Sequence, residues 1–234
     1  MKKLISLSVL VFTIAFISNT PAYFFYQPFS ATIPAQLSNI EGTLWKGSAR
    51  LTIAGTPIGK TQWQFQPVKL IQAQLGWQLS FPEIETIGEF SFYPWDPQTV
   101  KTLSVTSSSL GLARINPALN GIHANVNAEL SDLNALTCLD SMKGTASISD
   151  TRALGLSLGV VDAEISCDKQ QYIFSFANTK APIKLQGDGS FVAAGRYLIK
   201  GELATDDPAT QSKLIALLGP AQGGRFVFQE SGHL

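Results

Sequence analysis

Ile122-His123-Ala124-Asn125-Val126-Asn127-Ala128-Glu129-Leu130 is the stretch that decides the fold class. Ile122, Ala124, Val126, Ala128 and Leu130 are apolar, and His123, Asn125, Asn127 and Glu129 fill the positions between them. Successive side chains of an extended chain point to opposite faces, so this run reads as a strand with one buried and one wet face. The same alternation recurs at Leu75 to Phe81, Trp63 to Gln66, Phe90 to Phe92 and Leu154 to Leu158.

Glycines and prolines fall between these runs, at Gly55-Thr56-Pro57, Pro82, Pro94, Asn116-Pro117, Gly144, Gly187-Asp188-Gly189 and Gly195, where turns need a positive or preset φ. The expected fold is therefore mainly β: an extended, twisted antiparallel sheet with meander connections. Weak similarity links the stretches beginning at Gly47, Gly144 and Gly189, each a glycine, a small hydroxyl residue and then alternation. Stacked hairpins and generic hairpin grammar both account for it. One short C-terminal helix is expected, with Asp207 as N-cap, Pro208 in its first turn, Leu214, Leu217 and Leu218 on its apolar face and Gly219-Pro220 as its stop.

Outside the β region, Met1-Lys2-Lys3 precedes a run from Leu4 to Ile40 without a single charged residue or histidine. As a helix, residues 4–26 would extend about 34 Å, enough to cross a bilayer core of about 30 Å. The expected arrangement is a cytoplasmic stub at 1–3, a transmembrane anchor at 4–26 and a periplasmic β-rich domain at 27–234. Lys2 and Lys3 stay inside, and Tyr23 to Tyr26 form an aromatic belt at the far interface. A cleaved signal peptide ending near Thr20-Pro21-Ala22 is the competing reading; both export the domain.

Lys plus Arg and Asp plus Glu number 17 each, which disfavours nucleic acid as a partner. Two cysteines, Cys138 and Cys167, suit an oxidising compartment and are expected to pair. The sequence has no GxSxG, P-loop or Rossmann fingerprint, and His123 and His233 lack ligand-spaced partners. Glu83 with Glu85 reads as two carboxylates on one strand face, and Asp206-Asp207 as helix capping. No enzyme, cofactor or metal site is expected. Trp45, Trp63, Trp77 and Trp95 read as core residues, with Trp45 also a candidate docking residue if the glycine-flanked turn exposes it.

The stretch Ile40-Glu41-Gly42-Thr43-Leu44-Trp45-Lys46-Gly47-Ser48-Ala49 resembles the signature near the start of the periplasmic region of GspN, protein N of the type II secretion system. The likeness continues through Gly59, Trp63, Pro67-Val68-Lys69-Leu70, the two cysteines and Leu217-Leu218-Gly219. It implies a single-pass protein of the bacterial inner membrane, an accessory component of the machine that moves exoproteins across the outer membrane. Its partners would be other type II secretion components. The family offers no catalytic residues to carry over; Gly42, Thr43, Leu44, Trp45 and Gly47 stand as the candidate interaction motif. An architectural likeness to AsmA-type envelope proteins keeps a second reading open, a periplasmic β-groove that binds lipid.

Overall fold

Period-two patterning produces strands almost end to end. In a computed structural model of the chain, the residues described are 16, 18–26, 35–53, 56–108, 122–134, 138–153, 156–179, 181–191 and 196–233. They form one 13-stranded sheet whose strands lie in sequence order. The strands are β1 (Ala35–Gly42), β2 (Lys46–Ile53), β3 (Thr56–Phe65), β4 (Leu75–Phe81), β5 (Thr86–Tyr93), β6 (Asp96–Ser107) and β7 (Ile122–Asn134). They continue as β8 (Lys143–Ala153), β9 (Leu156–Asp168), β10 (Gln171–Thr179), β11 (Ile183–Phe191), β12 (Arg196–Thr205) and β13 (Phe226–His233). Helix α1 (Ala22–Tyr26) precedes the sheet, and α2 (Pro208–Leu218) joins its last two strands.

Directly opposed residues of antiparallel strands share a face, so the register assigns every side chain a side. One unbroken row runs Phe65, Trp77, Phe90, Leu103, Leu130, Gly144, Ile165, Phe174, Gly189, Ile199 from β3 to β12. The neighbouring row, on the other face, runs Gln78, Glu89, Ser104, Glu129, Thr145, Glu164, Ser175, Asp188, Lys200 from β4 to β12. The sheet thus has one apolar and one polar side. In the stretch quoted first, Ala124 is buried and Val126, Ala128 and Leu130 are half-buried, while Asn125, Asn127 and Glu129 are exposed. The strand expected across Leu154 to Leu158 is resolved as the start of β9 at Leu156; Leu154 and Gly155 lie outside the described residues.

The three glycines of the weak sequence similarity share a packing role. A Cβ on Gly47 would lie 2.3 Å from the Trp63 ring, one on Gly144 3.1 Å from Leu130, and one on Gly189 2.3 Å from the Phe174 ring. Each glycine stands opposite the large side chain it accommodates. The similarity therefore marks places where a bulky group lies flat over its neighbouring strand.

Helix α2 begins as its sequence dictates. Asp207 accepts hydrogen bonds from the Thr210 backbone N–H at 2.8 Å and from its hydroxyl at 2.6 Å, with Pro208 in the first turn and Gly219 past the end. Leu214 is buried against Leu156, Ile183 and Phe226 on the apolar side of the sheet. Leu218, expected on the same face, is exposed at the last position of the helix. The side chain of Leu217 lies outside the described residues.

The Thr210 hydroxyl, then its backbone N–H, hold the Asp207 carboxyl below its ordinary pKa. A depressed acid lends stability above its unfolded pKa and loses it as the pH falls through the folded value. Asp207→Ala should therefore melt below the wild type at neutral pH. The gap should close on acidification, as calorimetry across a pH series would show.

A continuous helix over 4–26 is not what the described residues form: the backbone is helical at 16, 18 and 19, leaves the helix at Thr20, and resumes as the separate α1. Pro21 has no N–H to continue the ladder and instead forms a β-bridge with Thr43. The hydroxyl of Tyr26 accepts the Leu37 N–H at 3.0 Å, so α1 is fastened to β1. Tyr23 to Tyr26 thus belong to a segment docked on the sheet. Among the described residues, no helix is long and apolar enough to cross a membrane; residues 1–15 lie outside them.

Candidate functional site: a stapled turn, two faces and two edges

The turn between β1 and β2 contains the sequence motif, and three aromatic residues explain its composition. Gly42 adopts φ +89°, a region that disfavours a side chain. The Trp63 indole N–H donates to the Thr43 carbonyl at 2.8 Å, and the Trp77 indole N–H to the Leu44 carbonyl at 3.0 Å. Two indoles from β3 and β4 thereby satisfy carbonyls that a turn ordinarily presents to water. The Thr43 hydroxyl accepts from the Trp45 N–H, and the Phe65 N–H donates to the Trp45 carbonyl at 2.6 Å.

Gly47 completes the turn by leaving room for Trp63. Its Cβ would also fall 2.4 Å from the Glu41 carbonyl oxygen, so backbone as well as ring would have to move. Gly47→Ala is expected to cost about 1–3 kcal/mol through such overpacking, measurable as a shifted urea midpoint with unchanged slope.

Trp45 itself is half-buried. Its ring meets Phe65 edge-on at 4.8 Å, and the series continues through Phe65–Trp77 at 5.2 Å to Trp77–Phe90 and Trp77–Phe92. Trp63 and Trp77 match their expected core role. Trp95 does not: it is 70% exposed and stacked on Tyr93, because it lies in the turn between β5 and β6, outside both strands.

The polar side carries a furrow of 1040 Å³ that reaches from β5 to β12 and includes Glu89, Glu129, Glu164 and Asp188 in its lining. These acids occupy alternate strands, with Ser104, Thr145 and Ser175 between them. Two strand spacings separate like charges by about 9.5 Å, near the screening length in physiological salt. No two acids of this row are adjacent, as proton exchange through a carboxylate pair would need.

The other expected acids are also placed. Glu83 and Glu85 do not share a strand face, since Pro82–Ile84 form a 3₁₀ turn and Glu85 adopts φ +47°. Glu83 accepts from the Lys60 N–H, and Glu85 from the Ser108 hydroxyl. Among the described residues, no three His, Cys, Asp or Glu come together as a metal site. The side chains of His123 and His233 lie outside the described residues. Cys138 and Cys167 are bonded to each other.

The two edges of the sheet differ. Segment 21–26 lies against β1, whose pairing with β2 is also broken by a register shift between Ser38 and Glu41, with Asn39 at φ +51°. By contrast, β13 pairs with β12 in unbroken register from Phe226 to His233, contains no proline or lysine, and has no described strand on its outer side.

The family model for type II secretion system protein N matches residues 34–229, from the approach to β1 to the middle of β13. The chain belongs to that family. A protein N is a component of the type II secretion system, so the expectation drawn from the Gly42–Gly47 motif holds at that level. The match takes in the whole stapled turn, both cysteines and nearly all of the sheet. No curated protein and no solved structure gives a significant match to this chain.

The sequence motif contains the turn but gives no sign of what holds it. Trp63 and Trp77 lie 20 and 33 residues from the carbonyls they bind, and only the register shows that they converge.

Proposed function

We propose that this chain is an accessory component of the type II secretion system, fixed to the bacterial inner membrane by its N-terminal apolar segment. Its sheet is periplasmic and acts by binding other secretion proteins during exoprotein transport across the outer membrane. The stapled motif of Gly42, Thr43, Leu44, Trp45 and Gly47 is the joint between the anchor and the sheet. The Pro21–Thr43 bridge supports that role, and the Cys138–Cys167 bond suits an oxidising periplasm.

The observation that carries the interaction reading is the contrast between the edges. An unprotected edge invites a partner's strand through main-chain hydrogen bonds, and proteins ordinarily blunt edges they do not use. Here β1 is blunted, while among the described residues no strand pairs with the outer side of β13. Val227→Lys with Gln229→Lys should abolish co-purification of secretion components while leaving the melting temperature within a few degrees. Undiminished co-purification would remove the edge from the account.

A second reading has its own observation. Helix α2 covers the apolar side at Leu156, Ile183 and Phe226, while Tyr172, Phe174 and Phe176 in β10 remain half-buried. An acyl chain would suit that surface. Stoichiometric phospholipid in purified protein, with no secretion protein bound, would favour the lipid-binding β-groove.

A further inference from the structure

In a meander, every second connection emerges at the same end of the sheet. The β1–β2, β3–β4 and β5–β6 connections therefore share one end, and Pro21 bridges to Thr43 at that same end. The apolar N-terminal run thus leads directly to this rim.

The β3–β4 connection is much longer than a tight hairpin requires. It contains a 3₁₀ helix, Pro67–Gln72, none of whose residues is buried. Val68 is 64% exposed and Ile71 87% exposed, with Leu70 exposed between them. Lys69 alone turns back, its methylenes lying over Gly76 on the polar side of β4. Apolar side chains point outward while the charged one folds against the sheet, the reverse of an ordinary solvent-facing turn. Two strands further along the rim is Trp95, and on the N-terminal side Phe24 is also exposed.

We propose that this rim is a second membrane contact. The turn at Val68, Leu70 and Ile71 and the β5–β6 turn at Trp95 seat in the interfacial layer of the bilayer that holds the anchor, standing the sheet upright on the membrane. Aliphatic side chains enter the acyl boundary, and the amphipathic indole of Trp95 sits at headgroup level. Lys46, exposed in the stapled turn of the same rim, meets anionic headgroups. The orientation rests on the anchor reading. It also assigns the Trp45 end to lipid and leaves β13, at the far side of the sheet, to protein partners.

The test uses the full chain reconstituted in vesicles of phosphatidylethanolamine and phosphatidylglycerol, carrying an environment-sensitive fluorophore on Ile71→Cys or, as control, on Ile215→Cys in α2 at the opposite end. The native disulfide stays closed, so the new thiol alone is labelled. Spin-labelled lipid should quench position 71 several-fold more than position 215, with a blue-shifted emission at 71 only. Equal quenching at the two positions overturns the proposal. Alkaline washing reports on the anchor separately: protein that resists extraction without preferential quenching at 71 keeps its anchor and loses the rim contact. Protein that is extracted but shows preferential quenching at neutral pH keeps the rim contact and loses the anchor.

Discussion

Trp77→Ala is expected to destabilise the domain by about 3–5 kcal/mol, as removal of a large buried aromatic does. Trp77 is 8% exposed, touches Phe65, Phe90 and Phe92, and donates its indole N–H to the Leu44 carbonyl. Truncation therefore opens a cavity in the aromatic series and releases one of two staples of the motif turn. The melting temperature should fall by roughly 6–20 °C for a chain of this size. Trp77→Phe should cost much less, because it keeps most of the ring volume and forfeits chiefly the hydrogen bond, worth about 1 kcal/mol. A drop as small for alanine as for phenylalanine would mean that the series is not a packing core.

Removing the disulfide is the second large effect. Cys138 precedes β8 and Cys167 closes β9, and the bond spans 29 residues. It thus encloses the whole β8–β9 hairpin. On the chain-entropy account, such a loop restricts the unfolded state by roughly 3.6 kcal/mol. The figure is an upper one, since residual order in the unfolded chain reduces it. The double substitution Cys138→Ala with Cys167→Ala should lower the urea midpoint accordingly, and reduction of the native protein should reproduce the shift. An unchanged midpoint in both would show that the bond contributes nothing to stability.

The strands were legible because alternation is a local property: Ala124 to Leu130 and Leu75 to Phe81 announce their two faces residue by residue. The α2 boundaries were legible for the same reason, since capping by Asp207 and termination at Gly219 depend on immediate neighbours. What depends on register was not. Nothing local says that Trp63 and Trp77 reach Thr43 and Leu44, or that Gly47 and Gly189 are the spaces into which rings lie.

Hydropathy also misled in identifiable ways. The break in the backbone at Thr20-Pro21 leaves no mark in the hydropathy around it. Trp95 was assigned to the core by its size, although Pro94 beside it already signalled a turn. Glu83 and Glu85 were read as sharing a strand face although Pro82, just before them, opens a 3₁₀ turn.

The blunted β1 and the unpaired outer side of β13 could not be told apart by sequence, because neither strand's own residues say what lies beside it. Their difference arises from Pro21 and Tyr26, distant residues that cover one edge and not the other. The measurement that most directly tests the account is therefore in-cell crosslinking from a photoreactive residue at Gln229, on β13. The account predicts adducts with another type II secretion component at this position; adducts with lipid alone, or none from fully incorporated protein, would contradict it.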